Sequence, residues 1–110
     1  FTIRPLPYEC VKPAVARCAG FRAGPYRATH VRRAGTVPCR TVRSLIKRTY
    51  AGKADAVRRP ESGRATHIFR GGWRCSTGAG GVGCWNVKRP GLNVIDTRVG
   101  GRVAIAADIT

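Results

Sequence analysis

Residues 71–85, which read GGWRCSTGAGGVGCW, decide how the rest of the chain is interpreted. Two short runs of strand-forming residues flank a glycine-rich turn, which is the pattern of a β-hairpin. In such a hairpin Cys75 and Cys84 face each other across the two strands. A bond between them closes a loop of about ten residues and contributes roughly 2 to 3 kcal/mol in the chain-entropy model. No G-K-[ST] follows the glycines and no helical pattern begins there, so a nucleotide-binding P-loop is excluded.

Upstream of this hairpin, residues 36–52 change to a helical period. Pro38 suits the first turn of a helix, and Gly52 is well placed to end it. One face carries Cys39, Val42, Leu45, Ile46 and Thr49 or Tyr50, and the other carries Arg40, Arg43, Lys47 and Arg48. The pattern predicts one amphipathic helix whose apolar face docks on a sheet.

The N-terminal segments have weaker signals. Prolines at positions 5, 7, 13 and 25 predict an irregular arm over residues 1–25, in which PAVARCAG at 13–20 has room for one or two helical turns. Residues 26–33 are interpreted as a strand with a strongly cationic surface. Residues 53–64 read as a polar connector.

Strand signals dominate residues 65–110. A short run at 65–69 leads into the stapled hairpin, and a second hairpin has arms at 92–99 and 102–109 around Gly100-Gly101. Val103, Ile105, Ala107 and Ile109 are expected on one face of its last strand. The predicted fold is a single α+β domain over residues 1–110. One amphipathic helix packs on a small antiparallel sheet of four or five strands, stapled by disulfides.

Charge indicates the class of partner. The 110 residues contain 21 lysines and arginines against five acids, a formal net charge of +16. Residues 1–60 hold 14 of the basic side chains and two of the acids, so the basic surface is concentrated in the N-terminal half. Such an excess favours nucleic acid, acidic cell-wall polymer, anionic lipid or sulfated glycan. A GC-rich genome explains arginine in place of lysine, but it does not explain the scarcity of acids.

Cysteine usage indicates an oxidising compartment. There are five cysteines and no C-x-x-C, and neither histidine lies near a cysteine pair, so we expect disulfides and neither a metal nor a cofactor. No apolar run approaches the ~18 residues that a membrane span needs. Because position 1 is not methionine, we interpret the sequence as a mature, processed or trimmed chain, secreted after removal of any signal peptide.

Two of these segments, TVPCRTVRSLIKRTY at 36–50 and GGWRCSTGAGGVGCW at 71–85, resemble a group of small secreted actinobacterial proteins. The matching residues are Val37, Cys39, Val42, Arg43 and Tyr50 in the helix and Gly72, Trp73, Cys75 and Cys84 in the hairpin. The likeness covers roughly residues 18–88, and Cys10 and the last hairpin fall outside it. The group is functionally uncharacterised, so the resemblance implies secretion, disulfides and an α+β fold, and nothing about chemistry.

The other cysteines leave several pairings open. If Cys75 bonds Cys84, then Cys10, Cys18 and Cys39 share one bond and one odd thiol. Cys18–Cys39 is preferred because it ties the arm to the start of the helix. Cys10–Cys39 and Cys10–Cys18 remain as alternatives. An odd cysteine in a secreted protein indicates an intermolecular bond.

The favoured function is binding of an extracellular polyanion without catalysis. Seven basic residues are expected to form one continuous cationic face, namely Arg27, Arg32 and Arg33 on the strand and Arg40, Arg43, Lys47 and Arg48 on the helix. Affinity at such a face falls steeply with salt. Trp73, Trp85 and Tyr26 are able to stack on bases or sugars. Core packing is the favoured interpretation for the two tryptophans beside the disulfide.

Two alternatives come from other classes. The first is a metal-free ribonuclease or toxin, in which His30 and His67 exchange protons with the 2′-hydroxyl and the leaving oxygen, an arginine stabilises the phosphorane, and Glu9 or Glu61 assists. It requires that the two histidines converge, which the sequence does not show. The second is a structural subunit that self-associates through edge strands, including residues 103–109, or through Cys10.

Overall fold

The computed structural model describes residues 14–59, 65–78, 80–97 and 101–110. In chain order the elements are β1 Val15–Cys18, β2 Phe21–Ala23, β3 Tyr26–Ala34, α1 Cys39–Tyr50, β4 Ala56–Arg58, β5 Ala65–Ile68, β6 Trp73–Gly78, β7 Gly81–Asn86, β8 Ile95–Asp96, β9 Arg102–Val103 and β10 Ile105–Ile109. Short 3-10 turns at Arg70–Gly72 and Pro90–Leu92 precede β6 and β8.

The α+β class is confirmed, but the sheet is larger than predicted. Eight strands form one antiparallel sheet in the order β1-β3-β10-β7-β6-β5-β4, with β2 pairing to the other half of β3. The prediction of four or five strands was too low because β1 and β2 lie within the segment expected to be an irregular arm, where Val15–Cys18 is a strand and not a helical turn. In addition, β4 lies within residues 53–64, which were interpreted as a polar connector. Pro13 and Pro25 flank these two strands and do not interrupt them, so residues between the prolines are free to extend. Residues 1–13 of the arm lie outside the described residues.

The amphipathic helix is confirmed at Cys39–Tyr50, within the predicted range. Its buried residues are Val42, Leu45, Ile46 and Thr49, as the period indicated. The Thr49 hydroxyl donates a hydrogen bond to the Leu45 carbonyl at 2.7 Å, which satisfies the one buried polar side chain of this face. Gly52 follows the helix with a left-handed φ of 69°, a conformation that suits glycine.

The helix packs on one face of the sheet, called the covered face, and the opposite face is called the open face. Residues directly opposite each other on antiparallel strands share a face, so the register assigns each side chain. One cross-strand row contains His67, Cys75, Cys84 and Ile105, and its Cys75, Cys84 and Ile105 belong to the core with Ile46 of α1. The next row belongs to the open face and contains Arg17, Arg32, Ala106, Gly83 and Ser76.

The predicted C-terminal hairpin is only partly present. Its paired part is Ile95–Asp96 with Arg102–Val103, and residues 98–100 at its turn lie outside the described residues. Residues Ile105–Ile109 instead insert between β3 and β7 in the centre of the large sheet. The chain bends at Ala104, whose carbonyl accepts from the Ala34 N–H while its N–H donates to the Cys84 carbonyl. Because of this bend, Val103 does not share a face with Ile105, although simple alternation predicted that it would. Val103 packs with Ile95 and Ala106.

Two disulfides are formed, and both are the preferred pairs. Cys75 and Cys84 lie opposite each other in β6 and β7 with Cα atoms 4.0 Å apart. Cys18 bonds Cys39 and so ties the end of β1 to the start of α1. The alternative pairings Cys10–Cys39 and Cys10–Cys18 are therefore wrong. Cys10 itself lies outside the described residues.

Candidate functional site

Within the described residues, positive charge is almost unneutralised by ion pairs. Seventeen of the 21 lysines and arginines lie in the described ranges, with three acids, Asp55, Asp96 and Asp108. Among these residues Arg102 is the one lysine or arginine with a carboxylate in ion-pair distance, Asp96 at 2.9 Å. Asp108 pairs with His30, and Asp55 accepts the backbone N–H of Arg70. Each of the three described acids thus contacts a nearby group, and the other described lysines and arginines have no carboxylate partner among these residues.

Four cations of α1 form what we call the helix surface: Arg40, Arg43, Lys47 and Arg48. All four side chains are exposed on the side of the helix away from its buried stripe. Lys47 and Arg48 lie in the last turn, where positive charge interacts favourably with the helix dipole. They also lie over aromatic rings, Lys47 at 5.9 Å from the Phe21 centroid and Arg48 at 5.1 Å from that of Phe69. Arg40 and Arg43, in the first half of the helix, gain nothing from the dipole.

The three arginines of β3 do not share one face. Arg33 donates to the carbonyls of Gly35 at 3.0 Å and Val37 at 2.9 Å, so it fixes the loop that leads into α1. By register, Arg27 and Arg32 lie on the open face. The seven predicted binding residues are therefore brought together as two groups on opposite faces of the sheet, not as one continuous surface.

Each open-face arginine of β3 lies directly opposite a second arginine. Arg32 is paired in register with Arg17 of β1, and Arg27 with Arg22 of β2. Side chains in such positions have Cβ atoms about 4.5 to 5.5 Å apart, and like charges there are destabilising. Arg17 and Arg22 were missed because their segment was expected to be irregular. The sequence signal that predicts these two strands is the alternation within V-A-R-C and F-R-A, on either side of Ala19-Gly20.

The open face contains a groove of about 1130 Å³, here called the open-face groove. Its floor is built from small residues at the centre of the sheet, among them Ala106 and Gly83. Space at Gly83 is tight, since a Cβ there would lie 3.2 Å from Val103 Cγ1, which would have to shift by a few tenths of an ångström. The strand order places Arg17, His30 and Arg32 on one side of this floor and Ser76 and Thr77 on the other. Residues of β8, β9 and Trp85 complete the lining.

A β-bulge brings His30 into this groove. The register of β3 against β10 shifts between Ala106 and Asp108, and His30 has a left-handed φ of 48°. Its Nδ1 donates to Asp108 Oδ2 at 2.9 Å, and both side chains are exposed. The bulge also explains why Arg27 and Arg32, five residues apart, share a face that Arg33 does not.

His67 lies on the covered face, opposite Cys75. It is buried, and within the described residues its Nδ1 has no hydrogen-bond partner. Burial, with a smaller contribution from the charge of Arg59, lowers the pKa of its imidazole. Four strand spacings of about 4.8 Å separate β3 from β5, so the strands that carry His30 and His67 are roughly 19 Å apart, and the two side chains lie on opposite faces. The two histidines therefore do not form a shared site.

The aromatic side chains divide between packing and exposure. Trp73 packs against the main core, and Trp85 packs against the smaller cluster of Ile95, Val103 and Ala106. Core packing is thus observed for both tryptophans, although Trp85 also lines the open-face groove. Tyr26 is exposed, with its ring centroid 5.0 Å from that of Tyr50.

Other kinds of site were also considered. Within the described ranges no group of three or more histidine, cysteine, aspartate or glutamate side chains is arranged to hold a metal ion. The helices of the same ranges include none with the length and hydropathy that a membrane span requires. Comparison with protein-family models, curated proteins and solved structures found no match to this chain.

Proposed function

We propose that this is a secreted cationic protein that binds an extracellular polyanion without catalysis. The observation that supports it best is the set of lysines and arginines that, in the described part of the chain, have no carboxylate partner apart from Arg102. The two disulfides are of the kind that persists in oxidising compartments.

Electrostatics explains why such a surface favours a ligand with many anionic groups. Cations that repel one another raise the free energy of the folded chain, and each anion that binds among them lowers it. The helix surface and the open-face arginines offer two separate places for such contacts. A long polymer contacts several cations at once and releases the counterions that it had condensed.

The placement of the two histidines argues against the ribonuclease alternative. The reaction needs one group to accept a proton and another to donate it at the same phosphodiester. His30 and His67 lie on opposite faces of the sheet, so they cannot act on one phosphate. Glu9 and Glu61 lie outside the described residues. We therefore do not propose catalysis by the two histidines.

A structural role remains as the second candidate because two edge strands carry exposed valines. Val15 on β1 is 53% exposed and Val57 on β4 is 41% exposed. These strands end the order of the large sheet, whereas residues 105–109, once expected at an edge, are central. Sedimentation at low protein concentration tests this role, since pairing of edge strands predicts oligomers and a monomer would contradict it.

The proposed function is tested by binding labelled RNA at low salt, with heparin, a wall teichoic acid and poly-glutamate as competitors, and by running the bound samples on a denaturing gel. Binding that leaves the RNA intact and that at least one polyanion displaces is the expected result. The absence of binding to all of these polymers at low salt would contradict the proposal. RNA fragments that accumulate with time would show catalysis instead.

A further inference from the structure

The open-face groove contains a pair of guanidinium groups that no acid neutralises within the described residues. Arg17 is exposed, whereas Arg32 is partly buried, and its Nε is buried with no hydrogen-bond partner in the same residues. The two side chains start from directly opposed positions on β1 and β3. A single phosphate between them accepts hydrogen bonds from both and replaces their repulsion by attraction.

The remainder of the groove has mixed charge and many hydrogen-bonding groups. Asp96 and Asp108 line it, each already paired, with Arg102 and His30 respectively. The hydroxyls of the lining include Ser76. A polyphosphate or a heavily sulfated glycan, whose anions are densely spaced along the chain, meets these carboxylates unfavourably. A ligand with one anion per unit and polar groups between the anions fits better, and a nucleotide chain has this composition.

Trp85 supplies an aromatic surface in the same groove. It shares the open face with Gly83 and, by register, with Ala106. An indole in a groove beside a phosphate site stacks on a base only when that base is unpaired. The bases of a duplex are already stacked on each other, so this feature favours a single strand.

A second arginine pair extends the path along the same face. Arg22 and Arg27 oppose each other near the start of β3, and Arg27 shares its face with Arg32. Five residues of β3 separate these two arginines, roughly 16 Å at 3.3 Å per residue. A strand of nucleic acid that leaves the groove therefore finds further cations on the open face.

We propose that the open-face groove binds single-stranded nucleic acid, with one phosphate between Arg17 and Arg32, a base against Trp85, and the strand continuing toward Arg22 and Arg27. The proposal rests on the proposed function and names its ligand and its site. Under this proposal the helix surface contributes less to binding than the open-face arginines do, although the two carry equal numbers of cations.

Fluorescence anisotropy with a labelled single-stranded RNA of about 12 nucleotides tests it, because this length spans a typical single-strand site. The decisive variant is Arg17→Gln with Arg32→Gln, and its matched control is Arg40→Gln with Arg43→Gln, which removes the same charge from the helix surface. We expect the groove variant to lose roughly tenfold or more in affinity and the control less than about threefold. Loss of one phosphate contact also reduces the salt slope by about 0.7. Arg17→Gln alone, at an exposed position, guards against misfolding of the double variant.

Tryptophan fluorescence gives a second readout, which reports the stacking of a base on Trp85 and not the neutralisation of charge. Titration with the unlabelled strand is expected to quench emission in the wild type and in Trp73→Phe, and to lose that quenching in Trp85→Phe. A blunt-ended duplex of equal length is expected to bind more weakly than the single strand and to quench less.

The outcomes separate this proposal from the proposed function. Equal losses in the groove and helix variants, a duplex that binds as well as the single strand, or quenching that survives in Trp85→Phe would overturn the groove proposal while polyanion binding stands. Tighter binding of heparin than of RNA by the same groove residues would also overturn it. Failure of the wild type to bind RNA, heparin and wall polymer at low salt would overturn both.

Discussion

Arg17 and Arg32 lie directly opposite each other on β1 and β3, and within the described residues neither has a carboxylate in ion-pair distance. A like-charge pair in this position destabilises an antiparallel sheet. The pair is therefore a feature that folding alone does not favour, and the phosphate that we propose would offset its cost.

Arg17→Gln is expected to stabilise the free protein at low salt, by roughly 0.5 kcal/mol, because it removes the repulsion from Arg32. Salt screens exposed charges, so the gain should shrink as ionic strength rises. Urea unfolding at low and high salt measures it. Arg58→Gln is the matched control, since Arg58 is exposed on a strand but lies opposite Thr66. Destabilisation by Arg17→Gln, or a gain that is equal in the control, would contradict the interpretation.

The Cys18–Cys39 disulfide is expected to contribute about 3 kcal/mol to the free energy of unfolding, because it closes a loop between residues 21 positions apart. Replacing both cysteines by serine should lower the midpoint of urea unfolding under oxidising conditions. With a reducing agent present, the wild type should lose most of its advantage over the variant. An unchanged midpoint under oxidising conditions would show that β1 does not need this bond.

Acid is expected to destabilise the protein through His67. Its pKa is lowered in the folded state by burial and by Arg59, so the unfolded chain binds a proton at higher pH than the folded chain does. The stability is complete above the ordinary histidine pKa of about 6.5 and is lost as pH falls toward the lower folded pKa. Urea midpoints measured from about pH 7.5 downward should fall in the wild type.

Two variants assign this pH effect to one histidine. His67→Gln should make the decline below about pH 6.5 shallower, because glutamine does not titrate. Thr66→Val, which changes a residue of the same strand that does not titrate, should leave the decline as in the wild type. If the two variants behave alike, the buried histidine is not the cause.

Asn86 is expected to be the polar residue whose loss is most costly. It is 1% exposed, its side-chain oxygen accepts the N–H groups of Lys88 and Arg89, and its amide donates to the Gly71 carbonyl. Asn86→Ala leaves these backbone groups without their partner and should cost roughly 3 kcal/mol in urea unfolding. Asn93→Ala, at a less buried position that bonds only the Asn86 backbone, should cost less. Equal costs would show that water replaces the Asn86 side chain.

The helix and the stapled hairpin were predictable because their signals are local. The 3.6 period of residues 39–50 and the glycine turn between Cys75 and Cys84 each lie within one segment. The position of residues 105–109 was not predictable, because it depends on pairing with β3, more than 70 residues earlier, and on a bend at Ala104. Alternation of residues predicts which side chains share a face only where the strand is regular.

The candidate binding residues were predicted to form one continuous cationic face, and the structure divides them between two faces of the sheet. Simple alternation along β3 groups Arg27 with Arg33, whereas the bulge at His30 groups Arg27 with Arg32. The partner Arg17 depends on the register of β1, which the prolines of the arm concealed. Charge counts therefore indicated a polyanion ligand, and only the register shows where two cations meet.

The most direct test of the central claim is the affinity of the wild-type protein for single-stranded RNA across a series of salt concentrations. Contacts with three or more phosphates predict that log K falls with log salt with a slope of about −2 or steeper. Intact RNA, tight binding at low salt and such a slope would support an electrostatic polyanion-binding protein. Absence of binding at low salt, or an affinity that does not change with salt, would contradict it.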